Sequence, residues 1–252
     1  MRLSGAIAAS LLASVLSALA TVLSATAASA GDFASFQPIG FSADGGVFAF
    51  EEYGVQDGSG FPYSNIFFVD TRKDTFLPGT QIRLRIDEEN TSLAKVRAQT
   101  ATKAAPLVEK FDLGANPGLL AAFNPITELE GDAHRLSYRQ YAVDPPVGGD
   151  FTLALSEVPF EPSAQCKDVT PQSIGFRLAF QAEDGKPSDR VLHADTAIPD
   201  SRKCPTGYRI GGVMVYNPQE GEPVHVALVQ VLSYGFEGRD GRWIAVPVSP
   251  AP

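Results

Sequence analysis

The sequence predicts a mainly-β protein: an antiparallel sandwich or open sheet assembly with one surface helix near residues 91–105, and a small β-propeller-like fold as the alternative. Three observations carry this. Apolar residues recur at every second position in several separate runs, which places them on one face of a strand. Asp-Gly turn signals lie between those runs. The chain of 252 residues holds 19 prolines and 23 glycines, a composition suited to many turns.

Taken in order, the first segment reads as a leader. Arg2 is followed by an apolar run from Ala6 to Leu23, and Ala28-Ser29-Ala30 fits the small-x-small pattern of a signal peptidase site. A membrane anchor needs about 20 strongly apolar residues, whereas this run is rich in Ala and Ser. The expectation is a cleaved export signal over residues 1–30 and a single mainly-β domain over 31–252.

Within that domain, Gln81 to Asp87 alternates strictly. Ile82, Leu84 and Ile86 share one face, and Arg83, Arg85 and Asp87 the other, as in a strand with one wet side. A helix should follow, capped by Asn90 or Thr91 and carrying Leu93, Val96, Arg97 and Thr100. It should stop before Pro106, because proline disfavours helix at the residue preceding it. Its apolar stripe is thin, so it should lie on a sheet surface. Phe151, Leu153 and Leu155 mark another strand, as do Ile174, Phe176, Leu178 and Phe180. Val224 to Phe236 differs. Val226 and Leu228 lie on one face and Ala227, Val229 and Val231 on the other, so a central strand covered on both sides is expected. Asp44-Gly45-Gly46, Asp57-Gly58, Asp184-Gly185 and Asp240-Gly241 read as turns, and residues 143–150 as a loop. The repeat of Asp-Gly-x-x-x-Ala at Asp44 and Asp240 is what suggests a propeller.

Composition excludes some functions. The net charge is −9, and loss of Arg2 with the leader makes it more negative. Nucleic acid and anionic lipid both call for a basic face, so neither is expected as a partner. No later stretch is apolar and long enough to span a bilayer after signal cleavage. Cys166 and Cys204 are the only cysteines. In an oxidising compartment such a pair predicts a disulfide.

Three stretches are distinctive: Ile39 to Tyr63; Leu192-His193-Ala194-Asp195 followed by Ser201 to Pro205; and Ser233 to Gly238. Together they resemble a bacterial family of predicted secreted proteins of unknown function. The resemblance covers most of the chain after the leader. It implies export and a shared fold, and brings no activity, substrate or site residue.

Chemistry-bearing motifs are sparse. The three histidines, His134, His193 and His225, lack His-x-His or His-Glu-x-x-His spacing, so no metal site or cofactor is expected. His134 reads as an exposed turn residue and His225 as a rim or satisfied core residue. His193 and Asp195 are the candidate catalytic pair: on an extended chain residues two apart project to the same face, and Asp200 is nearby. Adjacent acids such as Glu51-Glu52 point opposite ways on a strand and read as surface charge. Glu128 and Glu130 would share a face if extended. Tyr53, Phe61 and Tyr63 flank a glycine-rich segment and form a candidate binding surface, since aromatics supply large contact area. The sequence therefore points to a non-enzymatic periplasmic or secreted binding or interaction module with an envelope or extracellular partner, a protein or small ligand. The alternative is a cell-envelope hydrolase with a site near His193.

Overall fold

Alternating apolar residues stack this chain into layers. The computed structural model describes residues 31–249 apart from residue 89. The export signal expected over residues 1–30 lies outside the described residues.

Strands β1 (Ser35–Phe41), β2 (Val47–Val55) and β3 (Pro62–Asp70) form an antiparallel meander, and β4 (Thr75–Phe76) and β5 (Ile82–Arg85) both pair with β3. Asp44-Gly45-Gly46 and Asp57-Gly58 lie at the first two turns, where Gly45 and Gly58 take left-handed φ values of 68° and 78°. This outer sheet is buried on both faces. Phe48, Phe50, Tyr63 and Phe67 face inward, while Val47, Ala49, Ile66 and Phe68 face a helix, α1 (Leu93–Lys110).

Helix α1 corrects the expected boundaries. Ser92 is its N-cap, with a side chain that accepts from the Lys95 N–H, and Pro106 lies inside the helix rather than beyond it. Proline forfeits one backbone hydrogen bond. The helix continues because Leu107 and Val108, just past Pro106, pack on the same apolar cluster as Ala104.

A second sheet comprises β7 (Arg135–Arg139), β8 (Asp150–Phe160) and β9 (Ser173–Glu183), with β10 (Lys186–Pro187) and β11 (Val191–Ala194) both paired to β9. Asp184 and Gly185 link β9 to β10 with φ values of 50° and 71°, and Glu183 pairs with Lys186. Two positive φ values in a two-residue link are what an Asp-Gly hairpin predicts.

The third sheet holds β6 (Leu119–Phe123), β12 (Pro205–Tyr216), β13 (Val224–Tyr234) and β14 (Arg239–Pro247), in the order β14-β13-β12-β6. It is the middle layer. Met214, Val226, Leu228, Trp243 and Ala245 pack on the outer sheet. Ile210, Val213, Ala227, Val229 and Val246 pack on Phe151, Leu153, Phe176 and Leu178 of the second sheet. A register shift between Ile210 and Gly212 keeps Ile210 and Val213 on one face although they are three apart. Gly211 is required there: a Cβ on it would sit 2.3 Å from the Trp243 ring.

The expected central strand is therefore β13, buried on both faces between β12 and β14. Its apolar run overreaches, because Tyr234, at the end of β13, is 58% exposed and Phe236, in the turn that leads to β14, is 79% exposed. Asp240-Gly241 is also corrected: it lies inside β14, and the turn is residues 235–238. Asp240 Oδ1 accepts from the Asp32 N–H, and Gly241 bridges Phe33, so this dipeptide pairs with the segment before β1 instead of reversing direction. One copy of the apparent repeat is thus a turn and the other a strand. The sheets stack face to face rather than radiating as blades, and the propeller alternative falls.

Cys166 and Cys204 form a disulfide with Cα atoms 5.5 Å apart. It ties the β8–β9 loop to the segment entering β12. Among the described residues, no helix is long and apolar enough to cross a membrane.

Candidate functional site

His193 sits on β11, at the edge of the second sheet, and its side chain is only 18% exposed. Its Nε2 lies 3.0 Å from Asp195 Oδ1, so the same-face argument for residues two apart holds. Its Nδ1 lies 3.1 Å from Asp74 Oδ2, in the turn between β3 and β4 of the outer sheet. The imidazole thus links the two outer layers past the β14 edge of the central sheet. Asp195 Oδ2 accepts from the Phe176 N–H at 2.8 Å and from an Arg202 guanidinium nitrogen at 2.6 Å. The His193 ring stacks on Phe176 at 4.5 Å, and Phe176 in turn packs on Tyr208.

The electrostatics follow from this geometry. Burial works against a charged His193, but the hydrogen bonds to Asp195 and Asp74 and their negative charges outweigh it and hold its pKa at about 9. Burial likewise works against an ionised Asp195, but the hydrogen bonds from His193 and the Phe176 N–H, with Arg202, hold its pKa below the usual carboxylate value. With its pKa raised, the protonated ring donates from both nitrogens to carboxylates, and an Arg202 guanidinium nitrogen lies 3.4 Å from Nε2. An imidazolium without a free lone pair is not a general base. Asp200 stays outside this group: it is exposed and opens the short 3-10 turn Asp200–Arg202.

The candidate aromatics do not come together. Tyr53 and Tyr63 lie on opposite faces of the outer sheet. Arg97 of α1 covers the Tyr53 ring at 3.6 Å. Tyr63 is 4% exposed, and its hydroxyl donates to Asp32 Oδ1. Phe61 is half-buried, with Arg85 at 5.9 Å.

Glu51 and Glu52 correct the surface-charge reading. They do point opposite ways, yet both sides of that strand are covered. Glu51 pairs with Arg97 at 2.7 Å and accepts from Ser64. Glu52 is 4% exposed and accepts from Asn65 Nδ2 and the Trp243 N–H. Burial raises its pKa. Glu128 and Glu130 lie in the loop after β6 and are exposed. His134 is exposed beside the Tyr208 carbonyl. His225 is fully buried, its Nδ1 2.7 Å from the Tyr138 hydroxyl, and burial lowers its pKa to about 4.

Two adjoining hollows of about 240 and 270 Å³ flank the His193 cluster. Phe76, Ser201, Arg202 and Ile244 line both, so they form one cleft along the edge of β14. His193 and Asp74 line one end. Glu52, Phe67 and Trp243 line the other, together with Arg83 and Lys203. Sequence reasoning found His193 and Asp195 because they are neighbours. It missed Asp74 and Glu52, which come near only through the fold, and Arg202, seven residues from Asp195 but in no motif. The one available signal was Ser201 to Pro205, distinctive in sequence but without motif chemistry.

A family model described as "Predicted secreted protein (DUF2259)" matches residues 49–249, so the chain belongs to that family, and a periplasmic or extracellular location follows. No curated protein and no solved structure matches the chain.

Proposed function

We propose that this member of a secreted-protein family is a non-enzymatic binding protein whose ligand site is the cleft along β14. The observation that carries this reading is the state of His193, the best catalytic candidate in the chain. Both of its nitrogens are held by carboxylates, at 3.1 and 3.0 Å. Ser201 lines the same hollow, but no ring nitrogen is free to take its proton, so a serine hydrolase arrangement lacks its base. The cluster instead supports the cleft wall, joining the outer and second sheets beside it. The cleft has the mixed lining of a small-molecule site: apolar Phe67, Phe76, Trp243 and Ile244 with a few polar groups.

The test is native mass spectrometry of the exported protein, alongside assays with ester, amide and glycoside substrates. A stoichiometric small-molecule adduct, with no turnover by wild type or His193→Gln, is the expected result. Turnover that His193→Gln abolishes would replace this reading with the envelope hydrolase. Export by a signal over residues 1–30 belongs to the same proposal. N-terminal sequencing of the exported chain should begin at Gly31, and a chain still beginning at Met1 would overturn that part.

A further inference from the structure

We infer that the cleft along β14 selects a small organic anion with a flat apolar body, its carboxylate held by Arg83 and Lys203. The inference rests on the cleft being a ligand site and names the class of ligand.

The first observation is charge. The chain as a whole is strongly acidic, at −9. Yet the end of the cleft away from His193 is lined by Arg83, Arg202, Lys203 and Arg242 against Glu52 and Asp240. Two of these cations are committed inside the protein: Arg202 to Asp195 and Arg242 to Asp32. Arg83 and Lys203 make no ion pair and no side-chain hydrogen bond among the described residues. The Arg83 guanidinium lies 5.4 Å from the centre of the Phe67 ring, another residue of the cleft wall. The two acids are also engaged. Glu52 accepts from Asn65 and from the Trp243 N–H, and Asp240 accepts from the Asp32 N–H. The donors left for a ligand are Lys203 and Arg83, whose charge also acts on Glu52, and a guanidinium matches a carboxylate in a bidentate fork.

Backbone geometry is the second, independent observation. Lys203 has φ 56° and ψ −124°, a region that favours glycine. A lysine there carries strain of about 1–3 kcal/mol. Strain of this kind collects at ligand sites, where the fold holds a side chain in place. Here the neighbour Cys204 is pinned by the disulfide, and Lys203 lines the cleft. Shape is the third. Phe67, Phe76, Trp243 and Ile244 form an apolar wall at this end of the cleft, where the hollow is about 240 Å³. Aromatic rings in that wall favour a ring-bearing acid, because a flat ring packs on them over a large contact area.

Trp243 is the sole tryptophan of the chain and lines the cleft, so its fluorescence reports occupancy directly. The probes are 3-phenylpropionate, its neutral counterpart 3-phenylpropanol, and acetate. The expected result is a saturable change with 3-phenylpropionate and at least about tenfold weaker binding of the other two, the scale of one charge-assisted contact. Arg83→Gln and Lys203→Gln should each weaken the carboxylate by about tenfold and leave 3-phenylpropanol unchanged. Lys203→Gly removes the ammonium and relieves the backbone, so affinity should fall while the melting temperature stays at or above that of wild type. Equal binding of acid and alcohol would overturn the anion inference and leave the cleft as a ligand site. A saturable carboxylate response that none of the three variants weakens would overturn it as well. Failure of the binding reading itself registers separately, as His193-dependent turnover in the substrate assays.

Discussion

At the residue scale, two histidines pull stability in opposite directions with pH. His193 is held at about 9 in the fold against an ordinary value of 6.5. A raised folded pKa means that the folded state binds the extra proton. Its contribution is therefore full below about pH 6.5 and is lost as pH rises through about 9. At about 1.4 kcal/mol per unit, that contribution is about 3–4 kcal/mol. His225, lowered to about 4 by burial, works the other way, since the unfolded chain takes up the proton first as pH falls. Its contribution is present above about pH 6.5 and lost toward pH 4. Urea denaturation across pH 5 to 10 should show wild type more stable than His193→Gln below pH 6.5, with the gap closing by about pH 9.5. A gap of constant size would mean that His193 is neutral in the fold. The pairing of His193 with Asp195 was legible in the sequence, because alternation puts residues two apart on one face. The Asp74 contact was not, since it joins residues 119 apart and no local rule links them.

At the element scale, β13 is the test of the core. Leu228 is fully buried against the outer sheet, and Val229, next to it, is fully buried against the second. Leu228→Ala should cost about 2–5 kcal/mol, as truncation of a buried leucine does. Arg83→Ala, on an exposed position of β5, should stay within about 0.5 kcal/mol. Chemical denaturation of both variants makes the comparison, and equal small losses would place β13 outside the core. Strand identities were legible wherever period-two alternation ran unbroken. They failed at two points for the same reason. The Pro106 rule and the Asp240-Gly241 rule are local preferences worth a few kcal/mol at most, and tertiary contacts overrode both: Leu107 and Val108 on the outer sheet, and Phe33 and Asp32 on β14.

At the scale of the whole molecule, the disulfide closes a 38-residue separation and fixes one wall of the cleft. Cys204→Ser should destabilise the fold by about 2–4 kcal/mol through the loop entropy returned to the unfolded chain. The same variant should weaken 3-phenylpropionate binding under conditions where it remains folded, because Lys203 loses its pinned neighbour. A thermal melt and a Trp243 titration measure the two effects separately, and a variant as stable as wild type would show that the bridge adds nothing to the fold.

The sequence by itself determined the class of the fold, the alternation of its strands, the double burial of β13 and the pairing of its two cysteines. Each of these rests on spacing along the chain or on a bare count of residues, and needs no knowledge of what lies across the molecule. Only the tertiary structure decided that Glu51 and Glu52 are both buried, that Tyr53 and Tyr63 face opposite ways, and that Asp74 and Arg202 complete the His193 cluster. A side chain's burial and partners depend on which layers cover it. Stacking three sheets and a helix brings together residues whose distance along the chain carries no trace of their contact.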